Sequence, residues 1–534
     1  MGKRLVFDDD ARRALRIGVE QLAGAVCVTL GPRGRNVVIE RAHGMPTITN
    51  DGLGIAQEIE LLDPFENLGV RLVREAAVKT GEVAGDGTTT ATVLARSLVA
   101  EGLRELAAGH NPQRLRRGIE RAVVAVVADL KRRARPVAGP DDLRRIATVS
   151  ARHDEVLGRI VAEAFERTGT KGIVHVENGR GTTTTLEVAE GLQIEAGYQS
   201  PYFVTDAESM VARLEDPLVL VSDLKFASSR DVVPVMELAA RLGRPLVIVA
   251  GEISDEALAV LVVNRLRGTV ASVSIKMPGI GEARRERLED LAVATGARLL
   301  GADQGSSLEH VTDQDLGRAR RVECERELTT IVAGGGRPES LRGHVAQLEH
   351  RLQSARGSER DSLRERIARL TGGIAVIHVG GFTDIDVQER RNRVEDAIAA
   401  TRSAVEEGII TGGGVALLRS QPAIDALAAR DAGEAAGLAL VKRALEAPLR
   451  QIAENAGVRG ALAAERVRAG SGSFGFDALA GDYADLDERG VIDAARVVRC
   501  ALENAASIAT LVLTTDALVV EDDEGGEDGA PGTN

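Results

Sequence analysis

The sequence has no tryptophan, and aromatic residues make up only 2% of its 534 positions. Few rings are therefore available to stack nucleic-acid bases. The cores have to be built from Ala, Val, Leu and Ile. Cysteine is scarce too: Cys27, Cys324 and Cys500 lie far apart, form no CxxC pair, and read as small buried hydrophobes in a reducing compartment. No apolar run is expected to reach the ~18 residues that a membrane span needs. The opening MGKRLVFDDDARR turns acidic after Phe7 without an apolar stretch, which argues against a secretory signal. Val6 stands where myristoylation needs Ser or Thr. The default address is the cytosol. Positive charge is in deficit, with a formal net charge of -13. That argues against DNA, RNA or an anionic membrane surface as the main partner.

What is present is a soluble globular composition, 44% apolar and 28% charged. The length exceeds one core, so two to four domains are expected. From Asp8 to about Arg135 the pattern is mostly helical. Leu22, Val26 and Leu30 recur at helical spacing before Gly31-Pro32 stops the helix. Short strands are predicted at Asn36–Glu40 and Thr47–Thr49, with a turn at His43-Gly44 between them and another at Asn50-Asp51-Gly52. Helices fit Glu66–Thr80 and Thr88–Leu106.

After Pro136 the character changes. Strands are predicted at Ile173–Val176, Thr183–Val188, Leu218–Ser222, Pro245–Ala250 and Thr269–Lys276, and helices at Asp231–Leu242 and Asp255–Arg267. That alternation indicates an α/β domain. Leu341, Val345, Leu348 and Leu352, then Leu363, Ile367 and Leu370 after Gly357-Ser358, read as a helical hairpin with one apolar face. A strand at Ile374–Val379 follows Gly372-Gly373. From Glu389 the pattern is helical again, apart from a strand-rich patch near Phe474–Leu479. The tail from Glu521 is acidic, Gly-rich and of disordered composition. Glycines mark both crossings of the α/β middle, Gly191 going in and Gly372-Gly373 coming out. The pattern leaves two layouts open: one domain inserted into another, or three in series.

One stretch carries chemistry. Ala84–Ala95 reads AGDGTTTATVLA. Two glycines permit a tight turn, and the free N–H groups and positive dipole end of the helix that follows suit phosphate. Thr88, Thr89 and Thr90 add hydroxyl donors. Asp86 beside phosphate calls for a cation between them, and carboxylate plus phosphate oxygens is how Mg²⁺ is usually held. The loop lacks the lysine of GxxxxGK[ST], so the metal has to supply the positive charge. The turn Thr29-Leu30-Gly31-Pro32 and the run Gly412-Gly413-Gly414 could let backbone approach the same ligand. Asp51, in a turn, and Asp396, in VEDAIAATRSAVEEG, could orient or deprotonate an attacking water. Taken singly, each is ordinarily a solvated surface acid. The helix Asp255–Arg267 carries Leu258, Val260, Leu261, Val262, Val263 and Leu266, more apolar surface than one buried stripe requires.

Taken in order, VTLGPRGRNVVIE, TITNDG, DPFENLG, AGDGTTTATVLA, GYQSPYF, LVVNRLRG, RVEDAIAATRSAVEEGIITGGGVAL and APLRQIAENAG closely resemble the group I chaperonins, the bacterial GroEL type, over nearly the whole chain. The resemblance implies a multidomain α+β and α/β architecture. A mostly helical equatorial domain would be formed by 1–133 and 407–534, a small intermediate domain by 134–189 and 375–406, and an α/β apical domain by 190–374 inserted between their halves. It implies an ATPase that uses ATP, Mg²⁺ and usually K⁺, stacked seven-membered rings, a co-chaperonin lid of the GroES type, and non-native polypeptides as clients.

Thr29, Leu30, Gly31 and Pro32 match the first nucleotide loop, Asp86 the Mg²⁺ ligand, and Gly87 with Thr88, Thr89 and Thr90 the phosphate loop. Gly413, Asp477, Ala478, Leu479 and Asp493 match further nucleotide contacts, with Asp493 near the ribose. Asp396 matches the hydrolytic carboxylate, and Asp51 a second acid near the attacking water. Tyr198, Ser200, Tyr202, Phe203, Val233, Met236, Leu258, Val262 and Val263 match the client and lid surface. Asn50 stands where the family commonly has Lys, Asp477 where it has Asn, and the acidic tail replaces Gly-Met repeats. These departures fit a specialised paralogue. The alternative reading is a holdase of weak ATPase activity with a narrow client set, against which the presence of Asp51, Asp86 and Asp396 argues. A small-molecule kinase is disfavoured by the missing phosphate lysine.

Overall fold

An acid or amide before proline starts two of the long helices near the N-terminus. Asp63 accepts from the Phe65 and Glu66 N–H groups, so that helix runs Pro64–Ala84 and begins ahead of the predicted Glu66. Asn111 does the same for Gln113 and Arg114 and opens Pro112–Arg133. Both follow the same logic: the side chain satisfies first-turn donors, and proline occupies a position whose N–H has no helical partner. The computed structural model describes residues 2–40, 46–169, 172–179, 181–207, 210–301 and 307–521. The turn expected at His43-Gly44 and the acidic tail beyond Glu521 lie outside the described residues.

The chain forms two compact units. The first comprises Met1–Glu163, Val176–Thr185 and His378–Asn534; the second comprises Ala164–His175 and Leu186–Ile377. In the first unit, Asp8–Cys27, Pro64–Ala84, Thr88–Ala107 and Pro112–Arg133 pack around Ala495–Thr514, and Ala432–Ala444 packs on Pro112–Arg133 and Thr88–Ala107. The core is Ala, Val, Leu and Ile, with Leu15, Leu22, Leu98, Ile119 and Leu502 fully buried and Phe65 a rare ring. One expectation is corrected here. Ala495–Thr514 is long and apolar enough to cross a membrane by length and composition. Its face toward three neighbouring helices is buried, as a central core helix requires. Strand Lys3–Phe7 pairs antiparallel with Ala517–Glu521, Leu5 opposite Val519. Neither strand was predicted, since each is only five residues long and gains its pattern from a partner at the other end of the chain.

In the second unit, Leu218–Phe226, Leu246–Ile253 and Ser272–Lys276 lie parallel, joined by the helices Ser229–Leu242 and Asp255–Leu266. Helices cover both faces of such strands, so their residues are apolar without alternation; Leu246 to Ala250 are all buried. Gly317–Cys324 continues the sheet antiparallel and is followed by Thr329–Gly334 and Thr185–Ile194. The predicted hairpin is present as Pro338–Ser354 and Ser358–Thr371. Its apolar face buries Leu348, Leu363 and Leu370. All three cysteines are buried and free.

Candidate functional site

The turn Gly85-Asp86-Gly87 is fixed by backbone geometry. Gly85 and Gly87 have φ of 73° and 83°, the left-handed region. A Cβ on Gly85 would stand 2.0 Å from that of Ala399, and one on Gly87 2.6 Å from Val497 Cγ1. Glycine is thus required twice over, by conformation and by space. Gly87 is also the N-cap of Thr88–Ala107 and offers no capping side chain, which leaves the first-turn N–H groups open to a ligand.

That helix end opens into a cleft of about 1480 Å³, counting the space at its mouth, within the first unit. Asp86 lines it, with Oδ2 accepting from Ser150 Oγ at 2.6 Å and Oδ1 from the Gly87 N–H. Burial raises the Asp86 carboxyl above its ordinary range, against the pull of those two hydrogen bonds. Asp396 lines the same cleft from the helix Asp384–Glu407. Ala399 of that helix rests on Gly85, and Ser403 Oγ donates to the Ala84 carbonyl at 3.0 Å, which ties the acid's helix to the turn. Among the described residues, no hydrogen bond or ion pair engages the Asp396 carboxylate. Burial, followed by the charges of Asp86 and Asp51, holds it well above the usual carboxylate range. Asp51 is committed differently. It caps Gly52–Glu58, accepting from Leu53 N at 3.1 Å and Gly54 N at 2.8 Å.

Thr29, Leu30, Gly31 and Pro32 form another wall. Thr29 Oγ1 donates to the Val26 carbonyl at 2.8 Å, and Asn455 Nδ2 donates to Cys27 O and Leu30 O at 2.9 and 2.8 Å. Asn455 therefore positions this turn across a long stretch of sequence. Gly413 and Asp493 both line the cleft, Asp493 on the strand Ile492–Ala494 that pairs with Ile409–Thr411 and Gly413 just beyond Thr411. Burial, with the charge of Asp86 behind it, pushes the Asp493 carboxyl up to about 7. Asp477 accepts from Leu479 N and Ala480 N, both at 3.0 Å, and faces Arg489 Nη1 at 3.5 Å. These contacts use acceptor oxygens only, so Asp serves where Asn is usual. Ala478 lines the cleft, but Leu479 does not. The Asp477 turn leaves Leu479 exposed, so its place in the expected site is corrected. Asn50 lines the cleft with a buried Oδ1 that has no hydrogen-bond partner.

Sequence reasoning missed Ser150, Arg152 and His153, which also line the cleft. Arg152 and His153 have φ of 59° and 64°. A left-handed turn built from non-glycine residues carries no letter-level signal. Among the described residues, no three side chains of metal-ligand type converge. A cation beside Asp86 would draw most of its ligands from a bound phosphate, which matches one carboxylate beside an uncapped helix end.

A profile of the TCP-1/cpn60 chaperonin family matches residues 22–523. The chain belongs to that family. Two solved structures of the chaperonin gp146 from bacteriophage EL 2 (Pseudomonas aeruginosa), both in the presence of ATP-BeFx, share its fold. One is 23% identical with a TM-score of 0.68, covering 97% of this chain and 99% of that one. The other is 24% identical with a TM-score of 0.62 and the same coverage.

The second unit of this chaperonin carries the residues expected to meet clients. Val263 is 42% and Leu266 65% exposed on Asp255–Leu266, while Ala257 and Leu261 are buried and Leu258 and Val262 are half-buried against the core. That helix packs beside Ser229–Leu242 and the turn Pro201–Phe203, on which Val233 and Tyr202 are exposed. Four expected residues are corrected. Phe203 and Met236 are core residues, filling the space beneath the two helices. Ser200 is buried as the cap of Pro201–Phe203, its Oγ accepting from Tyr202 N. Tyr198 is partly buried against the same core, its backbone bonded to Glu325.

Proposed function

We propose that this chaperonin is an ATP-driven protein-folding machine of the bacterial GroEL type. The observation that carries the reading is one cleft that joins an uncapped threonine helix end, Asp86 at its turn, and Asp396 without a hydrogen-bonded partner. The Thr88–Thr90 end would cradle phosphates. Asp86 would hold Mg²⁺, which supplies positive charge to the phosphate oxygens. Asp396 would orient and deprotonate the attacking water, its raised affinity for protons suiting a general base. The family's equatorial, intermediate and apical layout, a K⁺ ion near Asn50, rings of seven and a GroES-type lid belong to the same proposal.

Clients would be non-native chains bound on the apolar surface of Tyr202, Val233, Val263 and Leu266, with Leu258 and Val262 beneath. Such a surface is non-directional and accepts many sequences. The test is native mass together with refolding of a chemically denatured client. A ring-sized assembly that raises client recovery only with Mg-ATP is the expected result. A monomer, or recovery equal with and without nucleotide, would remove the proposal.

A further inference from the structure

The charged lining of the first-unit cleft is lopsided. Asp51, Asp86, Asp396, Asp477 and Asp493 face it, and Arg152 is its single Lys or Arg among the described residues. Arg152 is half-buried, yet among the described residues no hydrogen bond or ion pair holds its guanidinium. A group with five N–H donors in a fixed fork is ordinarily engaged when it leaves water. Its backbone is left-handed, as is that of His153 after it. Arginine rarely adopts that conformation, so the fold holds the side chain at the cleft against a local preference. Among charged groups, Asp396 acts most strongly on Arg152, then Arg393 and Asp51, and Arg152, Asp396 and Asp51 all line the cleft. Arg152 therefore lies on the side of the cleft where the acids suited to handling water are found. Asp493 is influenced by Asp86 alone among charged groups.

We infer that Arg152 is a terminal-phosphate contact, its guanidinium binding the last phosphate of a nucleoside triphosphate and finding no partner on a diphosphate. The inference rests on the nucleotide reading of the cleft and adds to it a residue that distinguishes the two nucleotides. The loop Gly85–Thr90 has no lysine, so beyond backbone N–H groups, hydroxyls and a metal the phosphate nearest Asp396 would otherwise meet no positively charged side chain. An arginine from the separate segment Ala151–Asp154 supplies the missing fixed charge, and its planar fork matches two phosphate oxygens. A purely structural counterion to Asp396 or Asp51 would sit within ion-pair distance of one of them. Arg152 does not.

The test compares binding of a non-hydrolysable ATP analogue and of ADP, each with Mg²⁺, by calorimetry on the intact assembly. Parent, Arg152→Gln and Arg152→Lys are measured side by side. Arg152→Gln should weaken the triphosphate analogue by roughly tenfold or more, the loss expected for hydrogen bonds to a charged group, with ADP affinity changed by less than about threefold. Arg152→Lys should recover part of the loss, as charge without the fork allows. ADP binding reports that the cleft is intact. Equal loss for both nucleotides, or no loss for either, would overturn the inference. A parent that binds neither nucleotide would overturn the nucleotide reading and this inference with it.

Discussion

Asp493 and Asp86 share one cleft but differ in what the fold does for them. Asp86 has Ser150 and the Gly87 N–H as partners, whereas burial pushes Asp493 up to about 7 and, among the described residues, no donor to its carboxylate offsets that. In the unfolded chain that carboxyl titrates near its ordinary 3.8. The fold thus favours the protonated form. Its contribution to stability is complete at low pH, is lost between about pH 4 and about pH 7, and stays lost above. Asp493→Asn should raise the melting temperature of nucleotide-free protein at pH 8, with the difference from the parent vanishing toward pH 4. An equal shift at both pH values would tie the effect to packing rather than charge. Asp86→Ala removes the proposed metal ligand, so nucleotide binding in the variant should lose its dependence on Mg²⁺, measured by titration with and without chelator. Unchanged Mg²⁺ dependence would make the turn structural only. At this scale the GDGTTT stretch was legible because each letter has a backbone meaning: positive φ, a cap left open, hydroxyls on a first turn. Arg152 and Asn455 were not legible. One depends on a left-handed turn without glycine, the other on carbonyls brought to it from a distant turn.

Helices and strands were read from periodicity, and the reading failed where a second element decides. Ser229–Leu242 and Asp255–Leu266 were found almost to the residue. Which of their apolar faces is core was not, because Met236 and Phe203 look as exposed in sequence as Val233 and Tyr202. The distinction is set by what lies beneath. It makes a prediction on one helix. Val263→Ser should weaken capture of an unfolded client and of a lid's binding loop together, measured by co-sedimentation, while assembly and melting temperature hold. Leu261→Ser, one helix face away in the core, should lower stability by roughly 2–5 kcal/mol, the range for gutting a buried aliphatic site. If Val263→Ser melts like Leu261→Ser, that face is core. The end strands Lys3–Phe7 and Ala517–Glu521 were missed for the same reason: their partners come from opposite ends of the chain.

At the scale of the molecule, one discontinuous unit carries the whole cleft and a unit inserted into it carries the apolar surface. Membership of the TCP-1/cpn60 chaperonin family accounts for the order of the motifs along the chain. The proposal that ties the two units into one machine requires that the cleft hydrolyse ATP and that Asp396 perform the step. Steady-state phosphate release from Mg-ATP by the intact assembly, parent beside Asp396→Ala, measures this directly, with nucleotide affinity taken on the same samples. The parent should turn over, and the variant should bind nucleotide as the parent does while releasing phosphate about 10²–10⁴-fold more slowly, the usual loss of a general base. A parent without turnover, or a variant near the parent's rate, would contradict the account.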